Sequence, residues 1–124
     1  MTRKILIVDD EPNIVISLEF LMRREGFEVA VARDGEEAMT SVRQEQPDLV
    51  LLDVMMPKLN GFEVCEQIRA DPALAGVRII MLSAKGREAE IEKGLSLGAN
   101  GYVTKPFSTL DLVLQVRSLL GLEP

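Results

Sequence analysis

Four stretches of this 124-residue chain end a strand-like run on a residue able to do chemistry. Asp9-Asp10-Glu11 follows Ile5–Val8, Asp53 follows Leu49–Leu52, Ser83 follows Ile79–Leu82, and Lys105 follows Gly101–Thr104. Carboxylates gathered in one place repel, so such a cluster is neutralised by protons or by a metal ion. Oxygen ligands suit a hard divalent cation such as Mg²⁺, which keeps several of its waters. A lysine and a hydroxyl beside that ion form an anion clamp, and phosphate is the usual anion. A carboxylate is also a nucleophile toward phosphorus. Phosphoryl transfer asks mainly for positioning and charge neutralisation, which this set supplies. The absence of any histidine removes the triads that use it as base, most zinc sites and a phosphohistidine relay within the chain. The lone cysteine, Cys65, allows no internal disulfide and no thiolate zinc cluster, in keeping with a reducing cytoplasm.

For the four stretches to meet, the chain must deliver their ends to one edge of a sheet. Strand-like and helix-like runs alternate throughout. Lys4–Asp9 is a branched apolar run; Pro12 then opens a helix with Ile14, Val15, Leu18 and Met22 at helical spacing. Phe27–Ala32 is a second strand, and the cap-like pair Asp34 and Glu37 opens a second helix that Pro47 closes. Leu49–Asp53, apolar up to its last residue, predicts a strand covered on both faces. Asn60 caps a third helix with Phe62, Cys65 and Ile68 on one stripe, and Val77–Ser83 is a fourth strand. Arg87–Leu97 is a weaker fourth helix, because Gly94 in its interior costs about 1 kcal/mol relative to alanine. Gly98 is its C-terminal cap, Gly101–Thr104 a short fifth strand, and Ser108 with Asp111 caps a fifth helix running to Gly121.

Five strand–helix units in strict alternation predict an α/β fold, a parallel sheet with helices on both faces. A doubly wound, flavodoxin-like three-layer sandwich of strand order 2-1-3-4-5 is one architecture that such units adopt. Ligands of such sheets bind beyond the carboxyl ends of the strands, at the topological switch point. In that order the first and third strands are central neighbours, so Asp9, Asp10 and Asp53 converge, with Ser83 and Lys105 on one side.

The bulk properties agree. The length is that of one domain, 1–124; 47% of residues are apolar and 27% charged, the balance of a folded protein. A net charge of −6 repels a nucleic-acid backbone, so direct nucleic-acid binding is not expected. The four apolar residues Ile5–Val8 are too few for a signal-peptide core or a membrane span.

The segments Ile7-Val8-Asp9-Asp10-Glu11-Pro12, Leu51-Leu52-Asp53-Val54-Met55-Met56-Pro57, Leu82-Ser83-Ala84 and Thr104-Lys105-Pro106-Phe107 resemble the signature of response-regulator receiver domains, the CheY-like family of two-component signalling. The likeness covers essentially the whole chain, with the motifs in order. It implies a cytoplasmic signalling switch rather than an enzyme acting on free substrates. Asp53 would be the phosphoacceptor, fed by a sensor histidine kinase or a histidine phosphotransfer protein. Asp10, Asp53 and the backbone carbonyl of Met55 would bind Mg²⁺ directly, and Asp9 mainly through a metal-bound water. Lys105 would pair with Asp53 and then with the phosphoryl oxygens, its bond to Pro106 being cis. Ser83 would hydrogen-bond the phosphoryl group, and Tyr102 occupies the aromatic switch position. An output domain or downstream protein would be reached through the fourth helix, fifth strand and fifth helix, with a homodimer a further arrangement.

The switch has a physical basis. Phosphorylation adds acceptor oxygens and roughly one further negative charge. Ser83 gains a partner only then; its movement drags the following loop and vacates space for Tyr102, biasing a two-state element. One departure bears on assembly: Gly98-Ala99-Asn100-Gly101 stands where relatives with winged-helix outputs carry acids that pair across a dimer, although Arg117 remains.

Plainer readings stand beside these. Asp9 and Asp10 could cap the first helix, Asp53 could be a turn residue, and Tyr102 a fixed half-buried ring. Cys65, Met55 and Met56 read as packing residues, and Lys58 and Lys85 as solvated. A haloacid-dehalogenase-type phosphatase would need a second Asp two residues after a nucleophile on the first strand, whereas here the acids are adjacent. A flavodoxin-like cofactor binder would need a Ser/Thr/Gly-rich phosphate loop where Asp9-Asp10-Glu11 stands. A phosphorylation-independent interaction module is the remaining alternative; such modules usually lack one of the acids or the lysine, all present here.

Overall fold

The computed structural model describes residues 2–56, 58–84 and 88–123. Its order is β1 (Lys4–Val8), α1 (Pro12–Arg24), β2 (Glu28–Ala32), α2 (Gly35–Glu45), β3 (Leu49–Asp53), α3 (Gly61–Ala70), a 3₁₀ turn (Pro72–Leu74), β4 (Arg78–Ala84), α4 (Glu88–Ser96), β5 (Gly101–Lys105) and α5 (Thr109–Leu119). The five strands form one sheet of order β2-β1-β3-β4-β5, parallel throughout, as the alternation requires. Register pairs Val8 with Leu52, Asp53 with Leu82 and Ser83 with Thr104, so the chemically equipped strand ends share one edge.

Side chains of a strand alternate between faces, and each face of this sheet has its own core. Leu6, Val8, Val50, Leu52, Ile79 and Met81 pack with Ala38, Met39 and Val42 of α2 and Val64, Cys65 and Ile68 of α3. On the opposite face Ile5, Ile7, Leu49, Leu51, Ile80 and Leu82 pack with Val15, Leu18 and Met22 of α1 and Leu112 and Val116 of α5. This double cover is why β3 reads as an unbroken apolar run. Cys65 is a buried free thiol of the first core. Among the described residues no helix is long and apolar enough to cross a membrane.

The helix ends follow local chemistry. Asn60 and Glu63 form a reciprocal capping box on α3, Asp34 accepts from the Glu37 N–H on α2, and Ser108 accepts from the Asp111 N–H on α5. At α1 the N-cap is Glu11, with no side-chain cap and Pro12 in the first turn, so neither Asp9 nor Asp10 caps that helix. Gly98 is left-handed after α4, as its C-terminal position predicts. The described part of α4 starts at Glu88; the expected start at Arg87, and Lys85, lie outside the described residues. Gly94 has a reason that periodicity does not reveal: a Cβ there would stand 3.0 Å from Cγ of Met81, so glycine lets α4 approach β4. Among the described residues of α4 Gly94 is the buried one, so that stretch is lightly anchored.

Candidate functional site

Three polar residues are buried among the described ones: Asp9 (0% exposed), Asp53 (5%) and Ser83 (1%). All three stand at the carboxyl ends of interior strands. Asp9 follows β1, and its Oδ1 accepts the Glu11 N–H at 2.9 Å, which turns the chain into α1 and leaves Asp10 exposed beside it. Asp53 closes β3, and its Oδ1 accepts the Met55 N–H at 3.3 Å. Behind it, Gly61 opens α3 against the Asp53 backbone; a Cβ at that position would overlap the Asp53 carbonyl oxygen. Only glycine allows this close approach, which holds the strand end against the helix.

Asp9, Asp10 and Asp53 each offer a carboxylate oxygen, and these oxygens lie within 4.8 Å of one another. Oxygens bound directly to one Mg²⁺ at about 2.1 Å stand no more than about 4.2 Å apart. The triad therefore fits a small divalent ion after slight side-chain adjustment, or with one carboxylate acting through water. The donor set, all oxygen and acidic, is that of a hard cation.

Lys105 ends β5 and reaches across this cluster. Its Nζ lies 2.9 Å from Asp9 Oδ2, 3.4 Å from Asp53 Oδ1 and 3.4 Å from Glu11 Oε1. It pairs with Asp53, as the sequence suggests, but its shortest contact is with Asp9. The bond from Lys105 to Pro106 is cis. Burial pushes the Asp53 carboxyl up to about 6, helped by the negative charge of Asp9, while Lys105 and the Met55 N–H pull the other way. Burial alone would lower the Lys105 ammonium; the hydrogen bond to Asp9 and the charges of Asp53, Asp9 and Glu11 more than offset it, so Lys105 sits above its usual range.

A protein-family model, the response regulator receiver domain, matches residues 5–117. The chain belongs to that family. The receiver domain is 48% identical over 120 residues to the DNA-binding response regulator MtrA of Mycolicibacterium smegmatis, covering 97% of this chain and 51% of that protein. It is 47% identical to the alkaline phosphatase synthesis transcriptional regulatory protein PhoP of Bacillus subtilis, covering 97% and 49%. The chain thus spans about half the length of these relatives. A Chloroflexus aurantiacus protein of known crystal structure superimposes with a TM-score of 0.94 at 35% identity, covering 98% of this chain and 99% of that one. Receiver domains are parts of two-component signalling, switches rather than conventional enzymes, and the acidic pocket of Asp9, Asp10 and Asp53 is in place here.

The remaining expected residues fall as follows. Ser83 corrects an expectation: its hydroxyl has a partner before any phosphorylation, donating to Glu90 Oε1 at 3.2 Å, with the Ala84 carbonyl at 3.4 Å the alternative acceptor, because α4 brings Glu90 against the end of β4. Tyr102 is 43% exposed, and it lines a groove of about 860 Å³ with Leu95, Pro106, Leu114 and Gln115 between α4, β5 and α5. Met55 corrects an expectation: its side chain is 66% exposed rather than packed, because its neighbour Val54 takes the core position after β3. Met56 does pack on the α2/α3 core. Lys58 is exposed, with its Nζ 3.6 Å from Asp34 Oδ2.

Sequence reasoning missed Glu11 on Lys105, Gly61 behind Asp53 and Glu90 on Ser83. The run of three acids at 9–11 is a signal that could have pointed to Glu11. Glu90 lies seven residues beyond Ser83 on another element, and no spacing rule connects them.

Proposed function

We propose that Asp53 of this receiver domain accepts a phosphoryl group from a phosphohistidine on a partner. The observation that supports this best is the meeting of three carboxylates within 4.8 Å with the Lys105 ammonium laid over two of them. These 124 residues hold no histidine, so the donor lies outside them, in our reading on a sensor histidine kinase or a histidine phosphotransfer protein. A carboxyl near 6 is mainly ionised at neutral pH and more basic than an ordinary aspartate, which suits a nucleophile. Its oxygen attacks phosphorus; the P–O bond forms, the P–N bond breaks, and the leaving imidazole keeps the electron pair and takes a proton.

Mg²⁺ would be held directly by Asp10, Asp53 and the Met55 carbonyl, and by Asp9 through water. Bound there, it would neutralise charge on the phosphoryl oxygens. Lys105 pairs with Asp53 at rest and with a phosphoryl oxygen afterwards. Ser83 donates to another phosphoryl oxygen, and Tyr102 reorients as Ser83 moves. Residues 1–124 act as one cytoplasmic switch that assists its own phosphorylation and dephosphorylation. It signals through the α4–β5–α5 groove to an output domain, a downstream protein or a second copy, with no direct nucleic-acid contact of its own.

Intact-mass spectrometry after incubation with acetyl phosphate tests this. A single Mg²⁺-dependent phosphoryl adduct on wild type, absent from Asp53→Asn, is the expected result. No adduct on wild type, even with a partner kinase supplied, would leave a phosphorylation-independent interaction module instead.

A further inference from the structure

The Ser83 hydroxyl is committed elsewhere at rest. It is 1% exposed, so water does not supply its partners. It donates to the Glu90 carboxylate at 3.2 Å, and the alternative acceptor, the Ala84 carbonyl at 3.4 Å, is the more distant. A serine hydroxyl has one proton to give. Phosphoryl oxygens, like a carboxylate, only accept. Ser83 can satisfy one of these anions at a time.

Glu90 lies in the first turn of α4, the helix that buries Gly94 against Met81. Met81 and Ser83 share a face of β4, so the Ser83–Glu90 bond ties the start of α4 to the strand beside the pocket. Among the described residues, the Lys93 ammonium 4.5 Å from the Phe62 ring ties the same helix on its α3 side. A charge-assisted hydrogen bond at an otherwise lightly packed helix is placed to set where that helix rests.

We infer that Glu90 is a positioning residue: it holds the Ser83 proton in the unphosphorylated protein, competes with the phosphoryl group for it, and releases the start of α4 when it loses. This rests on the reading of Ser83 as a phosphoryl ligand. Weakening the Glu90 acceptor lowers the cost of the active arrangement, so the variant should bind a phosphoryl mimic more tightly than wild type.

The probe is beryllium fluoride with Mg²⁺, read by titration calorimetry and by backbone amide NMR. Glu90→Gln keeps the size and removes the charge. We expect its affinity for the probe to rise about three- to tenfold. The α4 amide signals of the ligand-free variant should move toward their positions in liganded wild type. In a Ser83→Ala background the gain in affinity for the probe should be lost. Glu88→Gln, which removes a neighbouring charge from the same helix, should behave as wild type. Glu90→Asp, too short to reach Ser83 but still charged, should resemble Glu90→Gln and serves if that variant is unstable. Unchanged affinity, or an equal gain in the Ser83→Ala background, would overturn the latch. Failure of wild type itself to bind the probe would instead remove the phosphoacceptor reading, and the latch with it.

Discussion

Lys105 stands closer to Asp9 than to Asp53: its ammonium is 2.9 Å from Asp9 Oδ2 and 3.4 Å from Asp53 Oδ1. One cation is shared among buried acids, and the residue proposed to react holds the smaller share. That division fits a carboxyl at Asp53 that burial and Asp9 push up to about 6 in spite of the lysine.

The first prediction concerns stability against pH. The folded-state value of Asp53 lies above its ordinary 3.8, so folding favours the protonated form. The stability this contributes is fully present below about pH 4 and is lost as pH rises through about 6. At neutral pH the ionised side chain therefore destabilises the metal-free protein by roughly 3 kcal/mol. Asp53→Asn should be more stable than wild type by about that much at neutral pH, and by almost nothing near pH 4. Urea unfolding across this range without divalent ions measures it; a pH-independent difference would count against the burial argument.

Removing the shared cation should have the opposite effect. Lys105→Met leaves Asp9 and Asp53 buried without it, and breaking a buried pair costs about 3 kcal/mol. The loss should shrink when Mg²⁺ is added, because the ion takes over part of the neutralisation. Unfolding midpoints with and without Mg²⁺ decide this, and an identical deficit in both would separate the lysine from the metal site.

Mg²⁺ itself should stabilise the fold. For a site with a dissociation constant of about 1 mM, about 10 mM ion adds roughly 1.4 kcal/mol. Asp10 is exposed and adds to the repulsion among the three carboxylates, so Asp10→Asn should leave the metal-free protein no less stable while abolishing that gain. Thermal melts against Mg²⁺ concentration test both halves; a gain that survives the substitution would place the ion elsewhere.

Gly61 meets the Asp53 backbone where a Cβ would overlap it. Gly61→Ala should cost about 1–3 kcal/mol through this overpacking. It should also slow the proposed phosphorylation, because the strand end that carries Asp53 must shift. Denaturant unfolding and the rate of adduct formation are the two readouts, and normal values for both would show that the β3–α3 contact yields freely.

Tyr102 is the chain's one tyrosine, and there is no tryptophan, so intrinsic emission reports on that ring alone. The ring is 43% exposed at rest. Phosphorylation should change its emission and its accessibility to a soluble quencher, and Ser83→Ala should weaken that response. Emission that is indifferent to phosphorylation would leave Tyr102 a fixed ring.

The sequence by itself determined the layers and the strand-end chemistry of this protein. Alternating apolar runs, Pro12 opening α1, the Asn60–Glu63 box and Gly98 after α4 all act over a few residues, so local chemistry sets them. Strict alternation then calls for a parallel sheet, which brings the ends of β1, β3, β4 and β5 to one edge, while their order across it, β2-β1-β3-β4-β5, came from the tertiary structure. What only the tertiary structure decided are contacts between residues far apart in the chain, whose partners no period or propensity encodes. The lean of Lys105 toward Asp9, the seating of Gly61 on Asp53 and of Gly94 on Met81, and the Glu90 carboxylate on Ser83 depend on how closely helices settle on the sheet. That closeness is fixed by packing of the whole core, in which a shift of an ångström changes which acid a lysine or a hydroxyl can reach.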